Sequence, residues 1–168
     1  MASSIDYRST SQYPADEVYA TMVDPDYLKS RLTQIGGPGA ELLEHTADAG
    51  GARYRLRHGL DPKDLPSVVR NFMPGDVVIE RTESWTRQGA GHYTGEVQVA
   101  IPGTPASAAG GMRLRDIDGG ESELLVHADV TVKVPLIGGK IEGVVADQVQ
   151  SLLAAETQFT HEWLARGR

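Results

Sequence analysis

A strand that turns straight into a long amphipathic helix occupies the last third of this sequence. Leu124, Val126, Ala128, Val130, Val132 and Val134 alternate with Leu125, His127, Asp129, Thr131 and Lys133, the period-two pattern of a half-buried strand. Pro135 stops the strand, and Gly138-Gly139 lets the chain turn. From Gly138 to Arg168, Ile141, Val144, Val145, Val149, Leu152, Phe159 and Trp163 fall on one stripe of a 3.6-residue wheel. One apolar sheet face followed by one apolar helix stripe predicts a helix laid across a curved sheet. Such a pair can close around a cavity.

Upstream, Ser3 to Gln12 alternates as a strand, with Ile5, Tyr7 and Ser9 on one side. Tyr13-Pro14-Ala15-Asp16-Glu17 has a proline in the first turn and acids near the positive end of the dipole, a helix start. That helix runs to Asp24-Pro25, and a second short helix spans Asp26 to Ile35. Gly36-Gly37-Pro38-Gly39 breaks the chain. Strands follow at 40–47 and 52–60, joined by a hairpin turn at Asp48-Ala49-Gly50-Gly51. Further strands are expected around Val68 to Phe72, over 77–87, from His92 to Ile101, at Met112 to Ile117, and from Glu121 to Val134. The small residues of Pro102 to Gly111 fit either a mobile loop at a cavity mouth or a strand of low propensity. Consecutive strands flanked by helices indicate an α+β fold rather than a parallel one.

At 168 residues the chain is expected to form a single domain, 1–168, long enough to bury a core unaided. No run of about eighteen apolar residues marks a membrane span, and the first residues lack the basic and apolar regions of a secretory signal. A cytoplasmic location without integral membrane association is the default expectation. The net charge of −7 argues against a general nucleic-acid binder, which needs a basic face. With no cysteine there is neither a thiol nucleophile nor a thiolate metal site. The histidines at 45, 58, 92, 127 and 161 are scattered without metal-ligand spacing, so no metal and no cofactor is expected. The Gly36–Gly39 run lacks a lysine and a βαβ setting, and reads as a turn rather than a phosphate loop. Oligomeric state leaves no mark in the sequence.

The order of strand, two short helices, antiparallel strands and long helix resembles the START-like superfamily, also called SRPBCC or Bet v 1-like, whose fold is the helix grip. The junction Val134-Pro135-Leu136-Ile137-Gly138-Gly139-Lys140-Ile141-Glu142 is similar in particular to an uncharacterised actinobacterial family within it, the domain of unknown function 2505. The resemblance implies a curved antiparallel sheet of six or seven strands wrapped around the C-terminal helix, with an apolar pocket between them. The superfamily includes lipid carriers, hormone and polyketide binders, and cyclases. The junction carries no catalytic residue, so no activity transfers with it.

Candidate site residues come from the faces expected to line that pocket. Gln148 and Glu156 sit within the helix stripe; a buried carboxylate is costly unless paired, so Glu156 either meets an arginine or contacts a ligand. In Ala52-Arg53-Tyr54-Arg55-Leu56-Arg57-His58 the three arginines share one face. They form a solvated outer stripe, or a docking stripe for an acidic partner. That leaves Tyr54, Leu56 and His58 inside, His58 being either a satisfied core residue or a hydrogen-bonding group near neutral pKa. Tyr93 and Val97 belong to the inner face of their strand, where a tyrosine suits a cavity wall. Arg81 and Glu83 share a strand face with Val77, Ile79 and Trp85, so they form an internal ion pair or, with a register shift, face outward. With Leu152, Phe159 and Trp163 as further apolar wall, these residues frame binding of a small apolar molecule or lipid in a pocket of several hundred cubic ångströms. Two other functions use the same fold: a polyketide cyclase or dehydratase with His58 and Glu156 as acid and base, and a filled-core protein-interaction domain.

Overall fold

The computed structural model describes residues 3–60, 63, 67–71, 77–134, 136 and 138–167. Seven strands form one sheet: β1 (Ser3–Ser11), β2 (Glu41–Asp48), β3 (Gly51–Leu60), β4 (Val77–Gly89), β5 (His92–Ala100), β6 (Ala106–Ile117) and β7 (Glu121–Val132). Their order is β1-β7-β6-β5-β4-β3-β2, with every neighbouring pair antiparallel. Helices α1 (Ala15–Met22) and α2 (Pro25–Ile35) follow β1, and the single turn α3 (Ser67–Arg70) lies between β3 and β4. The long helix α4 (Gly138–Ala165) ends the fold and packs on the sheet against β1 and β7. This is a helix grip.

Local chemistry explains the punctuation. Asp24 accepts a hydrogen bond from the Tyr27 amide at the start of α2, with Pro25 in its first turn. The Asp48 carboxylate accepts from the amides of Gly50 and Gly51 and so shapes the β2–β3 turn. The segment after α2 crosses β3 at close quarters: the Gly59 amide donates to the Gly36 carbonyl at 2.9 Å. A Cβ on Gly59 would stand 1.8 Å from the Pro38 carbonyl oxygen, so only glycine permits this crossing.

Strand alternation holds across the sheet. Inward-facing Tyr54, Leu56, Trp85, Tyr93, Val97, Met112, Leu114 and Val126 are buried and join α1 and α2 in the main core. On the outer face, Arg53, Arg55 and Arg57 meet Glu44, Glu80 and Glu41 at 3.9, 2.8 and 2.6 Å.

Three expectations are corrected. The segment expected as a strand from Val68 is helical over Ser67–Arg70, with the Asn71 amide closing the turn onto the Ser67 carbonyl; Phe72 lies outside the described residues. Of the two readings of Pro102 to Gly111, the strand of low propensity holds from Ala106, which opens β6 between β5 and β7, and the mobile mouth does not. The ladder overrides the low propensity of alanine and glycine. Finally, the buried stripe of α4 is offset around the helix from the apolar one. Ile141, Glu142 and Ala146 are buried near its start, and Glu156, Thr160 and Leu164 near its end. Phe159 and Trp163 do not dock on the concave sheet; they pack on Tyr27 of α2, with ring centroids 5.7 and 5.4 Å away. The offset accompanies the buried partners of Glu156 and Thr160, which hydrophobicity alone does not register.

Candidate functional site

Four charged side chains meet between α4 and the sheet. From β4, Arg81 aims its guanidinium at α4, where Nη1 and Nη2 each donate to Glu156 at 2.8 Å. Its Nε donates to Glu83, two residues along the same strand face. Arg31 of α2 approaches Glu156 from the other side, at 3.8 Å. The Tyr54 hydroxyl donates to Glu83 at 2.5 Å, and the Trp85 indole donates to the Tyr54 oxygen at 3.2 Å. All four charged groups are buried, and their formal charges sum to zero. A buried charge persists only with such partners.

The electrostatics follow from that packing. Burial alone would raise the carboxyl of Glu156, but Arg31 and Arg81 pull it down to about 2. Burial and the adjacent Glu83 push the Tyr54 hydroxyl well above its usual value. His58 goes the other way: burial, reinforced by Arg81, lowers its imidazole to about 4. At neutral pH it is therefore uncharged. Its Nε2 is buried and has no hydrogen-bond partner among the described residues.

Beside this network lies a cavity of about 90 Å³. Its walls are mostly aliphatic, including Ile79, Val99, Ile101, Val149 and Leu152, and the small residues of β6 form one side. His58, Arg81 and Glu83 border it at the polar end. A second void of about 40 Å³, bordered by Tyr7, Arg31, Tyr54 and Glu156, lies across Arg81 and Glu83 from the first. The pocket of several hundred cubic ångströms expected from the fold is thus subdivided, with Arg81, Glu83 and Met112 bordering both parts. A larger hollow of about 560 Å³ lies on the outer sheet face, near Thr94, Gly111 and His127. It is an open depression rather than an enclosed site.

The expected site residues therefore separate. His58, Val97 and Leu152 line the apolar cavity, while Tyr54 and Glu156 border the smaller void. Leu56 is fully buried in the main core and borders neither. Tyr93 is also displaced from the site: its ring stacks on Tyr19 of α1 at 3.9 Å and its hydroxyl donates to Asp16 at 2.6 Å. Gln148 is exposed on α4, since its neighbour Val149 takes the inward position. Phe159 and Trp163 pack against Tyr27 of α2 and border neither void.

Arg31 is a site residue that the sequence reading misses, although it falls at helical spacing with the buried Tyr27, Leu28 and Leu32. Its position among apolar residues was the available signal. Among the described residues no three His, Asp or Glu side chains gather to hold a metal ion. No helix there is long and apolar enough to cross a membrane.

Known proteins resemble this chain in sequence or in fold. An uncharacterised protein of Mycobacterium tuberculosis (strain ATCC 25618 / H37Rv) is 26% identical over 170 residues, covering 98% of each chain. Among solved structures, a protein of Thermus thermophilus superposes with a TM-score of 0.64 at 14% identity, covering 98% of this chain and 99% of that one. The Zhui aromatase/cyclase from Streptomyces sp. R1128 superposes with a TM-score of 0.59 at 14% identity, covering 100% and 97%. At these identities the structural matches establish the helix-grip fold and nothing finer. The family model described as "Protein of unknown function (DUF2505)" matches residues 6–164, from β1 to the last turn of α4, and the chain belongs to that family.

Proposed function

We propose that this protein binds a small apolar or lipid-like molecule between α4 and the sheet. The observation that carries the proposal is the preformed cavity, walled by aliphatic side chains and bordered at one end by polar groups. Ligand sites generally combine such walls with a few placed polar groups. At about 90 Å³ the cavity accepts only a compact molecule, or one end of a longer one. An engineered apolar cavity of about 150 Å³ stays dry and takes up benzene or xenon, which sets the scale.

The cyclase reading draws on the superposition with an aromatase/cyclase, yet the chemistry here favours binding. Glu156 is ionised and occupied by two guanidinium donors from Arg81. It has no proton to give and is a poor base, because protonation would break the pair. His58 alone makes a weak acid–base apparatus.

The test combines two measurements. Native mass spectrometry of protein purified from its own host is expected to reveal a retained small molecule. Xenon NMR on ligand-free protein is expected to show saturable occupancy with shifts at Val97, Val99 and Leu152. A protein that carries nothing and admits no xenon overturns the proposal.

A further inference from the structure

We propose that the ligand presents a single uncharged hydrogen-bonding group, a hydroxyl or a carbonyl, to Nε2 of His58, and that the site turns away carboxylates and amines. This rests on the binding reading above and specifies the chemistry of its ligand.

Three observations converge on it. His58 is 4% exposed, and its Nε2 has no partner among the described residues although the residue borders the apolar cavity. A buried polar atom left unpaired costs about 1–3 kcal/mol, and a ligand group that satisfies it recovers that cost. The imidazole is neutral, so its two nitrogens divide into one donor and one acceptor. A hydroxyl complements either tautomer and a carbonyl complements the Nε2–H form. Lastly, the cations nearby are already engaged. Arg81 gives Nε to Glu83 and both terminal nitrogens to Glu156. A carboxylate entering the cavity would find no free cation among its lining residues and would add a net charge beside a network whose four charges already cancel, a penalty far above that of an alcohol. An ammonium meets the same obstacle, since both carboxylates are taken. Arg31, whose Nε and Nη2 make no hydrogen bond among the described residues, faces Glu156 at 3.8 Å and borders the smaller void rather than this one.

The experiment uses three probes sized to the cavity: 1-butanol, 1-chlorobutane and butyrate, titrated into the full-length protein by NMR. The expected result is that His58→Leu weakens 1-butanol about five- to tenfold and leaves 1-chlorobutane within about twofold. Butyrate is expected to show no saturable binding to wild type. The ¹⁵Nε2 resonance of His58 in wild type should shift with 1-butanol and not with 1-chlorobutane, a readout that needs no variant should His58→Leu fail to fold. Equal effects of the substitution on both neutral probes, or an Nε2 resonance unmoved by the alcohol, overturn the hydrogen-bond assignment. Butyrate binding as tightly as 1-butanol overturns the exclusion of charge. If xenon and 1-chlorobutane both fail to enter, the cavity reading itself has failed; if they enter and the alcohol ignores His58, only this inference has.

Discussion

Arg81 and Glu156 face each other across the interior, strand to helix, with two parallel hydrogen bonds of 2.8 Å. This fork is the main polar tie between β4 and α4. Removing one partner strands the other. Glu156→Gln is therefore expected to lower stability by about 3–5 kcal/mol in urea denaturation. The double replacement Arg81→Met with Glu156→Leu should recover at least half of that loss, because Arg31 and Glu83 leave the interior neutral. A Glu156→Gln variant as stable as wild type would refute a buried fork.

Stability should depend on pH through His58 first. Its imidazole sits at about 4 when folded against the usual 6.5, so between these values the unfolded chain binds a proton that the folded chain refuses. Stability thus rises with pH across this window. It is lost as pH falls through it, by at most about 1.4 kcal/mol per unit. Glu156, held at about 2, adds a second loss as pH falls from about 4.5 towards 2. Melting curves of His58→Leu should lack the first slope and retain the second.

The two tryptophans should report different surroundings. Trp85 is 2% exposed and hydrogen-bonded to Tyr54, whereas Trp163 is half-buried on Tyr27. Acrylamide is expected to quench one emitter readily and the other barely, and Trp163→Phe should remove the accessible one. Trp163→Ala should cost about 1–2 kcal/mol, less than the 3–5 kcal/mol of a fully buried aromatic. Leu164→Ala, at a fully packed position, should cost about 2–4 kcal/mol in the same assay.

Gly59 offers a backbone test. A Cβ there would collide with the carbonyl group of Pro38, so Gly59→Ala must push the crossing segment off β3. A loss of about 2 kcal/mol or more is expected, with chemical-shift changes at the adjacent His58. An unperturbed variant would contradict the crossing.

The small residues of β6 set the size of the cavity. Ala108→Leu adds three carbons facing a void of about 90 Å³, enough to occupy much of it. Xenon uptake should disappear while stability stays within about 1 kcal/mol of wild type. Continued uptake would place the void elsewhere.

Much of the fold was legible in the sequence because period and punctuation carry it. The alternation in β7, the break at Gly36–Gly39 and the wheel over α4 each identify an element from side-chain spacing alone. The interior polar groups were harder to read. β4 alternation put Arg81 and Glu83 on the same face as Trp85 and the wheel placed Glu156 within the α4 stripe, yet hydrophobicity alone gives Thr160 no reason to point inward. The burial of Glu156 and Thr160 depends on Arg81 and Tyr27, which are 75 and 133 residues away. A helix stripe drawn from hydrophobicity therefore favoured Phe159 and Trp163, and the true facing was set by partners that no local pattern contains. Tyr93 failed similarly: its inward position was right, but α1 rather than the cavity covers it.

The strand order leaves β1 and β2 as the two sheet edges. They do not pair with each other. Instead α4 packs against β1 and α2 against β2, so helices close the seam. Hydrogen-bonded ladders resist separation in registered steps, whereas packed side chains slide. Parting α2 from α4 would break no β-ladder, but it would break the buried Tyr27–Thr160 hydrogen bond and separate Arg31 from Glu156. The wall of this container is thus held by ladders, and its closure by a few side chains of α2 and α4.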